Sequence, residues 1–382
     1  MKASLNTLKS IALINLCLIP FSSAMAEIKA TGLLEDGEII TLEGSGMGSH
    51  LLDIGVMGNK TSPQKTGQPG EKLANNVNNF SYGGGVRSDL YVYEGEHSRV
   101  DGEPVITGNA QDLGAYKNAT LVYDFGEQLE PGSQIYFTYW VKMNSEQSEG
   151  QWKMWRVSNT DNISDHTGEI VRSNWTTMQY AIMHTTDDGN LPRYYLEKPW
   201  DNFPNHGQGE WTRVEASLTM SNYNVDDGIL DITTHDRNFV TAPFNPEMKN
   251  YRGWTAPNMA NYTDPFDRYR YLILQNYFGN GYNNADVYIE DLYVQHGEKK
   301  RLEICESENW VQCAHREIQF PSSWTDTELT FELNYGSFNH GDTVFVHIID
   351  NNDVSIASTQ ITLGENLTAP VPPNPPNNIT IE

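Results

Sequence analysis

Apolar and polar residues alternate along this chain in many short runs. Within residues 134–143, Tyr136, Thr138, Trp140 and Lys142 interleave with Phe137, Tyr139, Val141 and Met143. Within 211–220, Arg213, Glu215, Ser217 and Thr219 interleave with Val214, Ala216, Leu218 and Met220. A period of two sends successive side chains to opposite faces of a pleated strand, so each run predicts a β-strand with one face in a core. The same pattern predicts strands at 119–125, 151–157, 178–184, 269–278 and 285–294. Clusters such as Asp187-Asp188-Gly189 and Asp226-Asp227-Gly228 supply the turns. Nothing reads as a long amphipathic helix, and 20 Tyr, 9 Trp and 31 Gly suit sheets joined by turns. The expected fold class is all-β, a β-sandwich or jelly roll.

A second set of short strands is predicted at 316–319, 329–333, 343–349 and 355–363. Near the other end, Gly37-Glu38-Ile39-Ile40-Thr41-Leu42-Glu43-Gly44-Ser45-Gly46-Met47-Gly48 resembles the opening strands of Ig-like domains of the IPT/TIG type. A piece of about 30 residues cannot bury a core alone. The expectation is a discontinuous Ig-like β-sandwich built from residues 27–56 and 298–364, with a jelly-roll domain, 57–297, inserted between them. The alternative is a contiguous C-terminal Ig-like domain, with the N-terminal strand attached to the jelly roll. Residues 60–79 read as a long loop, and the Pro/Asn-rich tail 365–382 as an extended linker.

The first residues change the picture of location. Lys2 and Lys9 precede an apolar run at 11–21, and Ala24-Met25-Ala26 closes it. That is the pattern of a secretory signal peptide, 1–26, so the expected location is secreted, extracellular or periplasmic. Cys17 follows Leu16 rather than a small residue, which argues against a lipid anchor. Past the leader, Cys305 and Cys313 are the remaining cysteines, and in an oxidising compartment they are expected to form a disulfide. Zinc is set aside at this stage, because no second cysteine pair completes a tetrahedral site.

Charge narrows the partners. With 50 acidic against 25 basic residues the formal charge is −25. Such a field repels nucleic acid and anionic membranes, so neither is expected as a partner. A polyanionic substrate would need a local basic patch.

The most informative span contains Gly209-Glu210-Trp211-Thr212-Arg213-Val214-Glu215, then Asp226-Asp227-Gly228, Leu272-Ile273-Leu274-Gln275-Asn276-Tyr277-Phe278-Gly279 and Ala285-Asp286-Val287-Tyr288-Ile289-Glu290-Asp291-Leu292-Tyr293-Val294. In this order the segments resemble concanavalin-like jelly rolls, which include several polysaccharide lyase families, over residues 112–295. The resemblance implies a concanavalin-like jelly-roll β-sandwich, beside the small Ig-like one, acting on an extracellular polysaccharide. It also implies β-elimination on a uronate-containing glycan. That chemistry needs a Tyr or His to take the proton α to the carboxylate, and a Gln, Asn, Arg or His to neutralise the carboxylate.

Tyr277 with Gln275 is the expected catalytic pair, with His184 as the candidate histidine and Arg156 or Lys153 as the carboxylate-binding cation. Aromatic faces stack on sugar rings and fixed polar groups read hydroxyls. Tyr136, Trp140, Lys142, Arg213 and Glu215 are therefore the expected substrate-binding residues, on one concave sheet together with Gln275 and Tyr277. A non-catalytic carbohydrate-binding or adhesive sandwich is the second reading. A glycoside hydrolase is the third, with Glu215 one carboxylate and its partner not evident. No cofactor is required; Asp286, Glu290 and Asp291 are candidate oxygen ligands for a structural Ca2+. His315 and Arg316 read as flanks of the disulfide-stapled strand rather than as a site.

Overall fold

The computed structural model describes residues 26–50, 52, 54–57, 71–72, 80–82, 91–94, 98–100, 104–109, 117–143, 152–158, 171–174, 179–183, 193–195, 211–220, 229–236, 270–278 and 286–367. Residues 1–25, His184 and residues 368–382 lie outside them. Among the described residues the strands form three sheets, of nine, seven and eight strands. None of the described helices is long and apolar enough to cross a membrane.

The nine-stranded sheet draws on both ends of the chain. Its order is Arg316–Ile318, Arg301–Cys305, Thr343–Ile349, Ser355–Thr362, Ala26–Leu33, Ile39–Gly44, Glu328–Glu332 and Phe320–Trp324, with Asn366–Leu367 also on Ala26–Leu33. Ala26–Leu33 joins the two halves. Its first residues pair parallel with Ser355–Thr362 through Ala26↔Ala357, and its middle pairs antiparallel with Ile39–Gly44 through Ala30↔Leu42. Ile39–Gly44 in turn pairs with Glu328–Glu332 through Ile40↔Phe331 and Leu42↔Leu329. Alternation decides what is buried: Ile40 and Leu42 are inside while Ile39 and Glu43 are exposed, and Val344, Val346 and Ile348 repeat the pattern. Residues of both halves meet in one core, including Ile28, Leu42, Leu302, Ile304, Phe331, Val346 and Ile361. Each such side chain stabilises the fold by about 1.5–3 kcal/mol on full burial.

The other two sheets are antiparallel and face each other. One runs Arg193–Tyr195, Gln179–Met183, Val171–Asn174, Trp152–Ser158, Tyr271–Phe278, Lys117–Asp124 and Phe80–Tyr82. The second runs Ile229–Asp236, Thr212–Thr219, Gln134–Met143, Asp286–His296, Pro104–Asn109, Tyr91–Glu94 and Glu71–Lys72. Phe137 of the second sheet meets Trp155 of the first edge-on, with ring centroids 4.9 Å apart. The seven jelly-roll strands expected from alternation are all present, with ends shifted by at most two residues.

Two details differ from the sequence reading. Ile54–Met57, grouped there with residues 27–56, pairs instead with Asp286–His296 in the eight-stranded sheet. The run 60–79, read as loop, contains the short strand Glu71–Lys72. Both strands are too short to show a period of two, so pattern alone could not assign them.

Candidate functional site

The eight-stranded sheet presents Phe137 to the seven-stranded sheet, and alternation turns Tyr136, Thr138 and Trp140 the other way. Register carries this second face across to Thr212–Thr219, where Trp140 pairs with Arg213, Thr138 with Glu215 and Tyr136 with Ser217. On the other side Trp140 pairs with Glu290 and Tyr136 with Gln295. The expected grouping of Tyr136, Trp140, Arg213 and Glu215 on one face is therefore correct, but the face is covered. Tyr136 is 0% exposed, Trp140 5%, Arg213 1% and Glu215 6%. Lys142, further along the same strand, is partly exposed.

The cover is the nine-stranded sheet, through Arg301–Cys305, Arg316–Ile318 and Phe320. Arg213 Nη2 donates to Glu303 at 2.7 Å and to Glu215 at 3.0 Å, Nη1 to the Arg316 carbonyl at 3.1 Å, and Nε to Thr138 Oγ1 at 3.0 Å. Tyr136 donates its hydroxyl to Glu215 at 2.6 Å, and the Arg301 guanidinium lies 5.5 Å over the Tyr136 ring. Tyr136 and Tyr293 pack with Ile318 and Phe320. The expectation that these residues form an open sugar-binding surface is corrected. Their polar groups are spent on another part of the same chain.

A second buried cluster lies beside the first. Arg99 donates to Glu317 and to Asp291, each at 2.5 Å, with Glu290 3.4 Å from its Nε. Its guanidinium stacks 4.4 Å over the Trp140 ring, and Trp140 Nε1 donates to Glu317 at 3.2 Å. His315 Nε2 lies 2.6 Å from the same Glu317 carboxylate, and the Ser337 amide donates to it at 2.9 Å. Of the three residues expected for Ca2+, Glu290 and Asp291 thus direct their carboxylates at Arg99, which supplies positive charge where a metal was expected.

The electrostatics follow from burial opposed by these partners. Burial alone would raise the Glu303 carboxyl, but Arg301 and Arg213 outweigh it and hold it down at about 2. Burial would likewise raise Glu317, and Arg99 with His315 keeps it well below the ordinary range. Asp291 goes the other way. Burial pushes it up to about 6, against Arg99 and reinforced by Glu317. Arg316 is lowered to about 10 by burial. It donates to the Trp310 carbonyl at 2.9 Å and stacks 4.1 Å over the Trp310 ring.

Sequence reasoning missed Arg99, Arg301, Glu303 and Glu317. Arg301 and Glu303 alternate with Leu302 and Ile304, which reads as a strand with one wet face; in the fold all five residues of Arg301–Cys305 are buried. The available signal was weak: charged residues of both signs beside aromatics on the two partner strands.

Gln275, Tyr277 and Arg156 lie elsewhere, on the seven-stranded sheet. They do not share a sheet with Tyr136 and Trp140, as had been expected. Arg156 pairs with Ile273, Gln275 with Thr120 and Tyr277 with Asn118. Gln275 and Tyr277 therefore hold positions on the face opposite Leu272 and Leu274. Arg156 belongs to that face through its pairing with Ile273, and it pairs with Arg172 on its other side. Positions diagonal to one another across a strand pair are about 7–8 Å apart, so Arg156 and Gln275 are neighbours in the sheet. The strand Gln179–Met183 of the same sheet ends just before His184.

No protein-family model matches the chain, and no curated protein does. Solved structures do. A variant of the family 7 alginate lyase A1-II′, in complex with product, matches at 12% identity over 54% of this chain and 84% of its own, with a TM-score of 0.33. The alginate lyase Aly36B matches at 14% identity over 53% and 85%, with a TM-score of 0.30. A structure described under endo-acting O-glycanases of the human gut microbiota matches at 12% identity over 52% and 80%, with a TM-score of 0.31. At this distance the likeness concerns the β-fold alone.

Proposed function

We propose that the chain is a secreted carbohydrate-active protein, a polysaccharide lyase that cleaves a uronate-containing glycan by β-elimination, working on the outer face of the seven-stranded sheet. The observation that carries the reading is the register that sets Gln275 between Tyr277, two residues along its own strand, and Arg156, diagonal to it on the next strand, with Lys153 paired directly with Tyr277. Tyr277 would take the proton α to the uronate carboxylate. Arg156 and Gln275 would hold that carboxylate, so that negative charge developing on it is neutralised. The bond from the β carbon to the glycosidic oxygen then breaks, the oxygen takes a proton, and an unsaturated sugar is left.

Two features support an anionic substrate at this place. Arg156 and Arg172 are paired across neighbouring strands in a chain of formal charge −25, which supplies the local basic patch that a polyanion needs. The opposite outer face of the sandwich is taken up by the nine-stranded sheet, and on this face Ile273 and Val122 are buried beside Arg156, so glycan would lie toward the Gln275–Tyr277 end of the strand. His184, next to this sheet, is the second proton-transfer candidate. The domain division into an Ig-like part and an inserted jelly roll, and export through the leader, belong to the same proposal.

The test is Tyr277→Phe, assayed on uronate glycans by the absorbance of the unsaturated product. Turnover should fall roughly 100- to 10,000-fold, the usual worth of a general acid–base group, with glycan affinity retained. Unchanged turnover would remove Tyr277 from the chemistry. Retention of glycan by a wild-type protein that yields no unsaturated product would favour the non-catalytic binding reading.

A further inference from the structure

Among the described residues, the structure holds Cys305 and Cys313 as a disulfide, and His347 brings a ring nitrogen within 4.8 Å of both sulfurs, all three residues being buried. They arrive from separate elements. Cys305 ends Arg301–Cys305, Cys313 follows the single turn Trp310–Gln312, and His347 pairs with Glu303 from Thr343–Ile349. A backbone oxygen sits among them: the Ser307 carbonyl is 3.3 Å from Cys305 Sγ, 3.7 Å from Cys313 Sγ and 2.9 Å from His347 Nε2.

We propose that this cluster alternates between two forms. When oxidised it is the Cys305–Cys313 disulfide. When reduced it is a site for one thiophilic divalent cation of the zinc type, held by two thiolates, His347 Nε2 and the Ser307 carbonyl. Two sulfurs, one imidazole and one oxygen suit such a cation in tetrahedral geometry. The cysteine pair alone lacked the remaining donors, and the fold supplies them from residues 307 and 347.

Charge and hydrogen bonding favour the reduced complex. A divalent cation with two thiolates, a neutral imidazole and a carbonyl carries no net charge, so burying it avoids the cost of an isolated ion. Trp310 and Ile349 pack against the two cysteines and keep the site dry. His347 Nδ1 lies 2.9 Å from Ser355 Oγ, which itself donates to the Ala357 carbonyl at 3.4 Å. In the disulfide form Nε2–H donates to the Ser307 carbonyl at 2.9 Å; in the reduced complex the ring's proton would sit on Nδ1, donated to Ser355, leaving the Nε2 lone pair for the cation, the usual outer-shell arrangement of a metal-bound histidine.

The step balances. A thiol reductant supplies two electrons and two protons and becomes a disulfide, while the Cys305–Cys313 bond opens to two thiols. Binding the cation then releases both thiol protons. The proposal is independent of any glycan chemistry on the seven-stranded sheet.

The experiment uses the whole protein, reduced with a phosphine that does not compete for metal and titrated with Co2+ without oxygen. One equivalent should bind with a thiolate-to-cobalt charge-transfer band, Zn2+ should displace it, and the oxidised protein should show no band. Ser355→Ala should weaken binding about 10- to 100-fold, as loss of an outer-shell partner does. His347→Gln should abolish the one-equivalent tetrahedral spectrum. A reduced protein with unchanged circular dichroism that takes up no Co2+ would overturn the proposal. So would a spectrum indifferent to His347→Gln, or unfolding on reduction that Zn2+ does not reverse.

Discussion

Glu303 accepts hydrogen bonds from three directions: Arg213 Nη2 at 2.7 Å, Arg301 Nε at 3.1 Å and Trp310 Nε1 at 2.6 Å. Removing its charge leaves two buried guanidiniums without their common counter-ion. Glu303→Gln should therefore destabilise the protein by about 3–5 kcal/mol in denaturant unfolding, the usual cost of breaking a buried pair from one side. A loss below about 1 kcal/mol would mean that Glu215, which lies 3.0 Å from Arg213 and 3.6 Å from Arg301, and Asp353, 3.0 Å from Arg301 Nη1, suffice for both arginines. Asp291 makes a different demand. It is faced by Arg99, by Glu290 on its own strand and by Glu317, and it sits at a φ of +49° where the pairing register shifts. Its folded value of about 6 lies above the ordinary 3.8. Its contribution to stability is thus fully present below pH 3.8 and is lost as pH rises through about 6. Glu303 and Glu317, both lowered, contribute in the opposite sense and lose their effect as pH falls below the ordinary carboxylate range. Asp291→Asn should remove the loss between pH 3.8 and 6, so that the variant's stability rises relative to wild type across that window. Parallel stability curves for the two proteins would rule the assignment out.

At the scale of strands, the sequence was legible wherever one face met apolar core. Gln134–Met143 was read with its correct ends because Phe137, Tyr139 and Val141 alternate with polar neighbours, and the same rule placed Thr212–Thr219 and Tyr271–Phe278. The rule also grouped Tyr136, Trp140, Arg213 and Glu215 correctly on one face. It could not say what lies against that face. A period of two reports a change of polarity from one side of a strand to the other, and a side facing a charged protein surface looks the same as one facing water. The candidate site was legible to a similar depth. Gln275 and Tyr277 were placed together because they are two apart on one strand, and Arg156 comes beside Gln275 only through non-local pairing with Ile273, a register that sequence does not reveal. His315 and Arg316 were read as structural, and their contacts with Glu317 and Trp310 agree with that.

For the molecule as a whole, the eight-stranded sheet is the middle layer, with the seven-stranded sheet on one side and the nine-stranded sheet on the other. Its two faces are made differently: Phe137 packs on Trp155 on the first side, whereas on the second Arg213 meets Glu303, Glu215 meets Arg301, and Trp140 and Arg99 meet Glu317. Separating the outer layer would take Glu303 from Arg213 and Glu317 from Arg99, so the layers should not melt independently. Scanning calorimetry should give a single endotherm containing both parts, and two well-separated endotherms would show that the contacts do not couple them.

The mixed-charge contact also bears on how such a chain can change over generations. An apolar interface tolerates drift on either side, because one aliphatic group substitutes for another at small cost. Here Arg213 and Glu303 lie 90 positions apart, yet each is the other's counter-ion. A change at one is harmful until the other changes with it, and a terminal sheet borrowed from another protein would arrive with unmatched charges. The two parts are therefore expected to be inherited together, and positions 99, 213, 303 and 317 to vary as a set.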